Sequence, residues 1–433
     1  MARKKALGYN IAAPVLGVFM HETRIGTLGQ HGSDVWFRYD DWVIDDATPL
    51  QWRLSIKLPI QTDSFGHEPT LVFFDNLLIE SDTRAALAAA TKQDASDVPG
   101  LLGRVGGECA GAVSLWPIDM EPPAQHQYRP ISESELEEIF SERYGERLAS
   151  VQLESRQVMS GVQHKLVVRK VDGTYLLPLA GAPSTAILKR STGRYQDLAA
   201  NELLCLKVVE ALRLAPASAS VIGGSNGLLE VTRYDRTPQP DGTISRIHQE
   251  DFCQATGRIV ARKYQQSGGP GLGDIAEVLR RYSANPPEDI KRLIGVALAN
   301  VCLGNMDAHA KNFSILYRPD GPRLAPFYDV VCTEAYAGLD AELSMKFGHA
   351  IDPSRISGAD FERLAKDLKV ARRAVDEEAE RIAGVLSNEL DSLVSEVSSQ
   401  IGATAILDKI GDIVRRRIGV ISAALSRGDR QRD

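Results

Sequence analysis

The first third of the chain alternates apolar and polar positions with a period of two, which is typical of β-strands. Strand-like runs occupy residues 15–20, 35–39, 54–58 and 110–115, with glycine, aspartate and proline clusters between them. An alanine-rich helical section precedes the last of these runs. The pattern predicts a small α/β subdomain over residues 1–125, with a linker in the proline-containing stretch 117–130.

The middle of the chain continues with strands around one long helix. Ser132 and Glu135 form an N-cap signature for a short helix. Strand-like runs follow at residues 166–171, 175–177, 185–189 and 228–235, and the run 198–212 has helical periodicity. These elements predict a second mixed α/β module over residues 126–247.

Helical periodicity dominates the last part of the chain. The helical runs are residues 249–255, 287–303 and 360–425, in which apolar side chains recur every three or four positions. Strand-like residues 313–317 and a Pro-Asp-Gly turn interrupt them with a hairpin. We therefore predict an α+β fold class with a mostly helical C-terminal lobe over residues 248–433.

Composition and charge narrow the class of protein. With 433 residues, 43% hydrophobic and 25% charged, the chain is long enough for two or three folded domains. A formal net charge of −7 argues against a surface built mainly to bind nucleic acid, and the basic run 415–417 is interpreted as a solvated helix face. Five widely spaced cysteines suggest neither a disulfide framework nor a zinc site. This use of cysteine fits a reducing cytoplasm best. No apolar run reaches membrane-spanning length, so we expect neither export nor a membrane anchor.

A polar loop between the helix 287–303 and the hairpin carries the candidate chemistry. It contains Asp307, His309 and Asn312, and a further carboxylate, Asp329, follows the hairpin. Phosphoryl transfer needs a carboxylate to orient the attacking hydroxyl and oxygen ligands for Mg²⁺. Protein kinases supply them from a loop aspartate, a nearby asparagine and a later aspartate. Turn formation would account for Asp307 or Asn312 alone, and a structural hydrogen bond for His309, but neither requires the ordered trio with Asp329.

Residues upstream of this loop fit nucleotide binding. Lys189 lies in a short apolar strand, and Glu202 in the following helix is correctly ordered to pair with it, as in kinases. Taken singly, each would equally be an ordinary surface residue. Residues 160–165 form a small polar loop whose backbone N–H groups could approach phosphates, although a plain hairpin connection would give the same pattern. The polar stretch after residues 228–235 suggests a hinge where adenine could bind backbone groups.

Several motifs resemble those of the HipA family of toxin serine/threonine kinases along nearly the whole chain. They are residues 73–78, the Gln-His-Lys of residues 163–165, Asn201 with Glu202, residues 233–236, residues 249–257, the glycine-proline loop 268–271 and residues 307–312. The last of these, together with the Gln-Glu-Asp…Cys-Gln-Ala run, is highly specific. The resemblance implies a two-lobed, protein-kinase-like (HipA-like) fold.

The resemblance also implies roles for individual residues. Asp307 would be the catalytic base, Asn312 and Asp329 would hold Mg²⁺, and Lys189 would contact the phosphates of ATP. The rest of the ATP site would comprise the phosphate loop Ser160, Gly161, Val162, Gln163, His164 and Lys165, the adenine hinge Thr232, Arg233 and Tyr234, and, beside the phosphates, His309 and Lys311.

The phosphate loop departs from the family pattern at two places. His164 replaces the glutamate or proline often found there. Family members phosphorylate a serine of this loop on themselves, which switches the kinase off, and relatives carry that serine at one of two positions. Val158 stands at the first position here, so the resemblance leaves Ser160 as the autophosphorylation site.

The function implied by the resemblance is that of the toxin in a type II toxin–antitoxin pair. Such a kinase inhibits translation and growth by phosphorylating a protein such as an aminoacyl-tRNA synthetase, and it co-represses its operon. The implied partners are a HipB-like helix-turn-helix antitoxin and, through it, operator DNA. Two alternatives stay open: a small-molecule kinase, and a non-catalytic co-repressor module. The joint presence of Asp307, Asn312 and Asp329 argues against the second.

Overall fold

The computed structural model describes residues 15–46, 49–140, 144–160, 165–190, 195–223 and 227–429. The chain divides into two units. The first takes in positions up to Val162 together with Thr174–Pro183, and the second takes in Gln163–Gly173 and the chain from Ser184 onward. The domain boundaries expected after residues 125 and 247 stay predictions.

The alternating N-terminal residues form an antiparallel sheet in the first unit. Its strands are β1 (Leu16–Met20), β2 (Thr23–His31), β3 (Asp34–Tyr39) and β4 (Val113–Pro117), in the spatial order β3-β2-β1-β4. Side chains on one face, such as Val18, Ile25 and Phe37, are fully buried, because alternation places every second residue on the same side. The accompanying helices are α1 (Asp41–Asp45), α2 (His67–Asp75), α3 (Ser81–Thr91), α4 (Val98–Val105), α5 (Glu133–Ile139) and α6 (Tyr144–Ser155).

Local predictions in the first unit had mixed outcomes. The Ser132 cap of α5 is confirmed, since its hydroxyl accepts the N–H of Glu135. The strand expected at residues 54–58 is wrong, because this segment is a tight turn closed by a bridge between Ser55 and Leu58. The linker was only partly correct, since it contains strand β5 (Gln127–Pro130), which pairs with β7 (Thr174–Leu179). Strand β2 was not predicted, because Gly26 and Gly29 stand at buried positions and interrupt the apolar alternation.

A second antiparallel sheet positions the upstream part of the candidate site in the second unit. The strands are β6 (Lys165–Val171), β8 (Ala186–Arg190), β10 (Leu228–Thr232) and β9 (Ala219–Ile222), neighbours in that order, and α7 (Leu198–Ala211) connects β8 to β9. Two smaller groups follow, β11 (Arg236–Pro238) with β12 (Ile244–Arg246), and β13 (His248–Asp251) with β14 (Ser314–Arg318) and β15 (Gly321–Leu324).

Helices make up most of the remaining second unit. They are α8 (Phe252–Thr256), α9 (Leu272–Tyr282), α10 (Pro286–Leu303), α11 (Gly358–Asp367), α12 (Arg372–Ile401) and α13 (Ala405–Asp429). The predicted helix at residues 287–303 is confirmed as α10, whose buried length packs against α9, α12 and α13. The helix predicted from residue 249 begins only at Phe252, because residues 248–251 pair with β14 as a strand.

Two statements from composition were also tested by the structure. All five cysteines are buried free thiols. The basic run 415–417 is a solvated face only in part: the side chains of Arg415 and Arg416 are more than half exposed, whereas Arg417 is buried against Glu334. Among the helices described, none combines the length and the apolar character needed to cross a bilayer.

Candidate active site

An ion triad centred on Lys189 lies in the second unit. The ammonium nitrogen of Lys189, on β8, is 2.7 Å from Oε1 of Glu202, on α7, and 2.8 Å from Oδ1 of Asp329. Lys189 and Glu202 are almost fully buried, and the side chain of Asp329 is 29% exposed. The lysine–glutamate pair expected from the order of the strand and the helix is therefore present, and the carboxylate that follows the hairpin joins it.

Burial and charge act in opposite directions on the triad. Burial disfavours ionisation of Asp329, but the charges of Lys189 and Lys165, the hydrogen bond from Lys189 and the proximity of His309 hold the pKa of Asp329 well below its ordinary value. Burial also disfavours the charged form of Lys189, but its two carboxylate partners outweigh this and raise the pKa of Lys189. Burial raises the pKa of Glu202 against the opposing charge of Lys189. Asp329 is thus the strongly anionic member.

Residues 304–312, the Asp307 loop, begin where α10 ends. Gly304 closes the helix with φ of 65°, a left-handed conformation that glycine adopts without steric cost. The side chain of Asn305 bonds to Asn300 of the helix (3.0 Å) and accepts the N–H of Asp307 (3.2 Å). The amide nitrogen of Asn312 donates to the carbonyl oxygen of Asp307 (3.0 Å). The loop therefore exposes the Asp307 carboxylate and places Asn312 beside its backbone.

Tyr264 contacts two members of the Asp307 loop. Its hydroxyl donates a hydrogen bond to Oδ1 of Asp307 (3.0 Å). Its ring lies edge-on to the buried ring of His309, with 5.2 Å between the ring centroids. Tyr264 therefore restricts the orientation of the Asp307 carboxylate, and sequence analysis assigned it no role.

Hydrogen bonds attach the Asp329 segment to its surroundings on both sides. The hydroxyl of the preceding residue, Tyr328, donates to the carbonyl oxygen of Lys311 in the Asp307 loop (2.7 Å). After Asp329, the amide of Asn201 on α7 donates to the carbonyl oxygen of Cys332 (3.0 Å) and accepts its N–H (2.8 Å). Asp329 itself has φ of 58°, a left-handed conformation that is uncommon outside glycine. The structure thus links Asp307, Asn312 and Asp329 through directly bonded segments.

The oxygen atoms at this site fit a magnesium–nucleotide complex. Because the amide nitrogen of Asn312 donates to a carbonyl, its Oδ1 faces the other way as an acceptor. Asp329 uses Oδ1 for Lys189, and its side chain is partly exposed. Magnesium on nucleotide phosphates takes one or two protein oxygens and completes its shell with phosphates and water. Within the described ranges no cluster of three or more His, Cys, Asp or Glu side chains could hold a metal, and a nucleotide-bound magnesium does not need one.

Lys311 serves as an anchor within the second unit. Its buried ammonium nitrogen lies 3.2 Å from Oδ2 of Asp251. Asp251 is the N-cap of α8 and accepts the N–H of Gln254 (2.8 Å). Lys311 therefore ties the Asp307 loop to α8. Its implied place beside phosphates, like that of His309, stays a prediction.

Two backbone N–H groups of the predicted adenine hinge, at the end of β10, already donate hydrogen bonds within the second unit. The N–H of Thr232 donates to the carbonyl of Ser218 (2.8 Å), and that of Arg233 donates to the carbonyl of Thr185 (3.0 Å). These two N–H groups are therefore not donors for a base, and contacts from Thr232 or Arg233 would come from their carbonyl oxygens or from the exposed Thr232 side chain.

The side chains of Arg233 and Tyr234, the second and third hinge residues, belong to a polar network. The guanidinium of Arg233 donates to both carboxylate oxygens of Asp235 (2.9 and 2.8 Å) and to the hydroxyl of Ser184 (3.0 Å). The hydroxyl of Tyr234 donates to the side chain of Gln249 (2.6 Å). These hydrogen bonds fix the hinge within the second unit. Because the guanidinium of Arg233 already bonds to Asp235 and Ser184, a binding role for Arg233 would use its backbone instead.

The structure describes the two ends of the predicted phosphate loop. Outside the described residues lie Gly161, Val162, Gln163 and His164. In the first unit, Ser160 is half-buried and donates to Glu80 (3.4 Å). In the second unit, Lys165 opens β6 and faces Lys189 across the β6–β8 pair. The positive charge of Lys165 therefore adds to that of Lys189 near Asp329.

Three residues that shape the site were given no role by sequence analysis. Tyr264 precedes the glycine-proline loop, Asn201 precedes Glu202, and Asp251 lies in the Gln-Glu-Asp run. Each therefore lies in or beside a motif that carried the family resemblance. That position was the available signal, since no periodicity or spacing argument singles them out.

Comparison with family models gives the chain its place among known proteins. Residues 158–390 match the HipA-like C-terminal domain, and residues 16–116 match the HipA N-terminal domain. The first match alone covers more than half of the chain. The chain belongs to the HipA family. The C-terminal match ends within α12, so α13 lies outside it.

Individual HipA relatives cover most of the chain. The relative named "Putative kinase Y4mE", from Sinorhizobium fredii, is 36% identical over 395 residues, which are 87% of this chain and 93% of that protein. The serine/threonine-protein kinase toxin HipA of Shewanella oneidensis is 27% identical over 342 residues, 76% of this chain and 78% of that one.

A solved structure agrees with the fold. HipA of Shewanella oneidensis, in complex with HipB and its operator DNA, matches with a TM-score of 0.77 at 21% identity, over 95% of this chain and 97% of that chain. This likeness confirms the predicted fold class, the two-lobed α+β kinase-like fold of the HipA family.

Proposed function

We propose that this HipA-family protein is an ATP- and Mg²⁺-dependent protein serine/threonine kinase that acts as the toxin of a toxin–antitoxin pair. The observation that carries the proposal is the contact of Lys189 with both Glu202 and Asp329. Kinases hold the nucleotide phosphates and their metal with a lysine that pairs with a helix glutamate, and with an aspartate from a later segment of the chain. The buried Lys189 contacts one side chain of each kind. The curated Shewanella relative is named as such a kinase toxin.

Each residue of the site has a defined task in this proposal. Asn312 and Asp329 hold Mg²⁺ with their oxygen atoms, and Lys189 contacts the phosphates. Asp307, exposed on its loop, orients the acceptor hydroxyl and takes its proton. Magnesium bound to the phosphates supplies neutralisation of the charge that develops during transfer. Catalysis then rests on positioning and electrostatics and needs no covalent enzyme intermediate.

The central test replaces Asp307 with alanine. Asp307→Ala should bind ATP with unchanged affinity but lose transfer of labelled phosphate to protein in a cell lysate, together with growth inhibition. The matched control is Asp320→Ala, an exposed aspartate in the β14–β15 turn. Unchanged transfer by Asp307→Ala would remove this residue from the mechanism. Label on metabolites alone, with none on protein, would favour a small-molecule kinase instead.

The biological setting of the proposal comes from the family. The solved Shewanella complex contains HipA, HipB and operator DNA. Correspondingly, a HipB-like antitoxin is the proposed partner here, and operator DNA is reached through it, which suits a chain of net charge −7. The proposed site of action is the cytoplasm, and the proposed target is a protein such as an aminoacyl-tRNA synthetase, with Ser160 as the autophosphorylated residue.

Comparing phosphoproteomes would test the target and the self-modification together. Cells expressing the intact chain should gain phosphosites, including Ser160, that cells expressing Asp307→Ala lack. A parallel reporter assay with the antitoxin present should show operator repression by Asp329→Asn without toxicity. If toxicity persists in that variant, catalysis at this site is not what inhibits growth.

A further inference from the structure

The segment of residues 332–335 lies against the start of the Asp307 loop. The N–H of Glu334 donates to the carbonyl oxygen of Gly304 (3.1 Å). The hydroxyl of Thr333 accepts the N–H of Met306 (2.8 Å) and also bonds to the carbonyl of Gly304 (3.3 Å). This segment comes only three residues after Asp329. It therefore connects the chain that carries Asp329 to the loop that carries the proposed base.

Helix α13 holds the same segment from the other side with three basic side chains. Arg417 donates to Oε2 of Glu334 from Nε (3.1 Å) and from Nη2 (2.7 Å), and Arg416 donates to Oε1. Lys409 donates to the carbonyl oxygen of Ala335 (2.6 Å). Both oxygens of the Glu334 carboxylate are thus bound by arginines of one helix, which fixes the rotation of the carboxylate as well as its position.

The Glu334–Arg417 pair joins a buried arginine to a half-buried glutamate, whereas the ion pairs of Arg415 on the same helix are exposed. The side chain of Arg417 is 7% exposed and that of Glu334 is 21% exposed. Removing two charges from water costs about as much as their attraction returns, so such a pair adds little stability but admits few arrangements. Arg415, by contrast, is 53% exposed and pairs with Asp391 and Asp412 on the surface.

The space around Gly304 shows how closely these parts fit. A Cβ atom at Gly304 would lie 2.9 Å from Oε2 of Glu334 and 2.9 Å from the side chain of Ile413 on α13. The end of α10, the 332–335 segment and α13 therefore meet without spare volume. A shift of Glu334 would therefore act directly on Gly304, the first residue of the Asp307 loop.

We propose that Glu334 and Arg417 are positioning residues for phosphoryl transfer, which set the Asp307 loop relative to the segment that carries Asp329. The proposal rests on the proposed kinase function and extends it to α13, which lies beyond the C-terminal family match. Neither residue contacts the reacting groups. They act through the three hydrogen bonds of the 332–335 segment to Gly304 and Met306.

The kinetic test uses Arg417→Gln, Glu334→Gln and the double variant in the full chain, with Arg415→Gln as the matched control. Phosphate transfer to lysate protein is measured against ATP concentration. Each single variant should lower kcat by about tenfold with KM for ATP within about twofold, and the double variant should be no slower than either single one. Arg415→Gln should match the wild type. Independent, multiplying losses in the double variant would contradict the proposal.

Hydrogen exchange gives a readout that needs no activity. The N–H groups of Met306, His309 and Asn312 are hydrogen-bonded in the Asp307 loop, so they should exchange about tenfold faster in Arg417→Gln and Glu334→Gln than in Arg415→Gln. Equal exchange in all three variants would overturn the positioning role. If Arg417→Gln does not fold, judged by its unfolding midpoint, Glu334→Gln decides the question. If the wild type transfers no phosphate, the kinase proposal fails. Hydrogen exchange then still decides whether Glu334 and Arg417 hold the Asp307 loop in place.

Discussion

The ammonium group of Lys189 and the carboxylate of Asp329 lie 2.8 Å apart although 140 positions separate them in the chain. The same ammonium also contacts Glu202 at 2.7 Å. One positive charge therefore compensates two carboxylates that come from a helix and from the segment after the hairpin. The triad carries a formal charge of minus one, which magnesium and the second lysine, Lys165, would balance when a nucleotide binds.

Lys189→Met should destabilise the protein in a pH-dependent way. Removing one partner of a buried pair costs about 3–5 kcal/mol, because the remaining charge has no counterion. Burial raises the pKa of Glu202 in the folded state. Ionisation of Glu202 therefore destabilises the fold only above its unfolded pKa, and this loss of stability grows as the pH rises. The urea midpoint of Lys189→Met should therefore fall further at about pH 8 than at about pH 5.

The control for this prediction is the double variant Lys189→Met with Glu202→Gln. It lacks the buried Glu202 carboxylate and leaves only the partly exposed Asp329 carboxylate without its lysine, so it should regain part of the loss at the higher pH. If Lys189→Met alone loses the same amount at both pH values, the ionised Glu202 is not the cause.

Tyr264→Phe should slow phosphate transfer without weakening ATP binding. The variant loses the hydrogen bond to Oδ1 of Asp307 but keeps the ring that packs on His309. A hydrogen bond to a partly exposed carboxylate contributes about 1 kcal/mol, so kcat should fall by roughly fivefold. Tyr264→Ala should fall further, because the His309 contact is also lost. A kcat for Tyr264→Phe equal to that of the wild type would show that Asp307 is oriented by other groups.

Asn201→Ala should lower both stability and activity. Its side chain supplies a donor and an acceptor to the backbone of buried Cys332. Alanine therefore leaves the N–H of Cys332 without a partner and its carbonyl oxygen with only the N–H of Ala335 (3.4 Å). The expected loss is about 1–3 kcal/mol in the free energy of unfolding. The magnesium concentration for half-maximal activity should rise as well, since Asp329 lies three residues before Cys332. Stability loss without any change in the magnesium response would confine Asn201 to a structural role.

Two substitutions of Asp251 separate its cap from its ion pair. Asp251→Asn keeps a good N-cap for α8 but removes the counterion of buried Lys311, at a cost of about 3 kcal/mol. Asp251→Ala also removes the cap, which adds about 1 kcal/mol. Adding Lys311→Met to Asp251→Asn should recover part of the first loss. Equal midpoints for the asparagine and alanine variants would mean that the cap contributes nothing measurable.

Elements with strong periodicity or a cap signature could be predicted from the sequence. Helix α10 follows from its apolar repeat, and α5 from Ser132 and Glu135. The failures have physical reasons. Strand β2 carries Gly26 and Gly29 at buried positions where a strand pattern needs apolar residues, and residues 249–251 have helix-compatible polarity but pair with β14. Tertiary pairing decided the structure of both segments, and local pattern does not report it.

The candidate site could be predicted where its residues follow one another along the chain in the same order as in protein kinases. Lys189 and Glu202 follow in the order of a kinase pair, and the structure places them in contact. Residues that act across long sequence distances were not predictable. Tyr264 meets Asp307 and Arg417 meets Glu334 only because helices and loops fold over one another. Arg417 was misjudged for the same reason, since a run of three arginines does not show which one faces inward.

The positive φ of Asp329 decides which substitutions can report on its charge. Asparagine tolerates this backbone region at least as well as aspartate, and glycine tolerates it better, whereas alanine or a β-branched residue would strain the peptide. Loss of activity in an alanine variant would therefore have two causes that the assay does not separate: the missing carboxylate and a changed backbone conformation. Asparagine isolates the electrostatic contribution, and glycine reveals how much of the site depends on that unusual geometry alone.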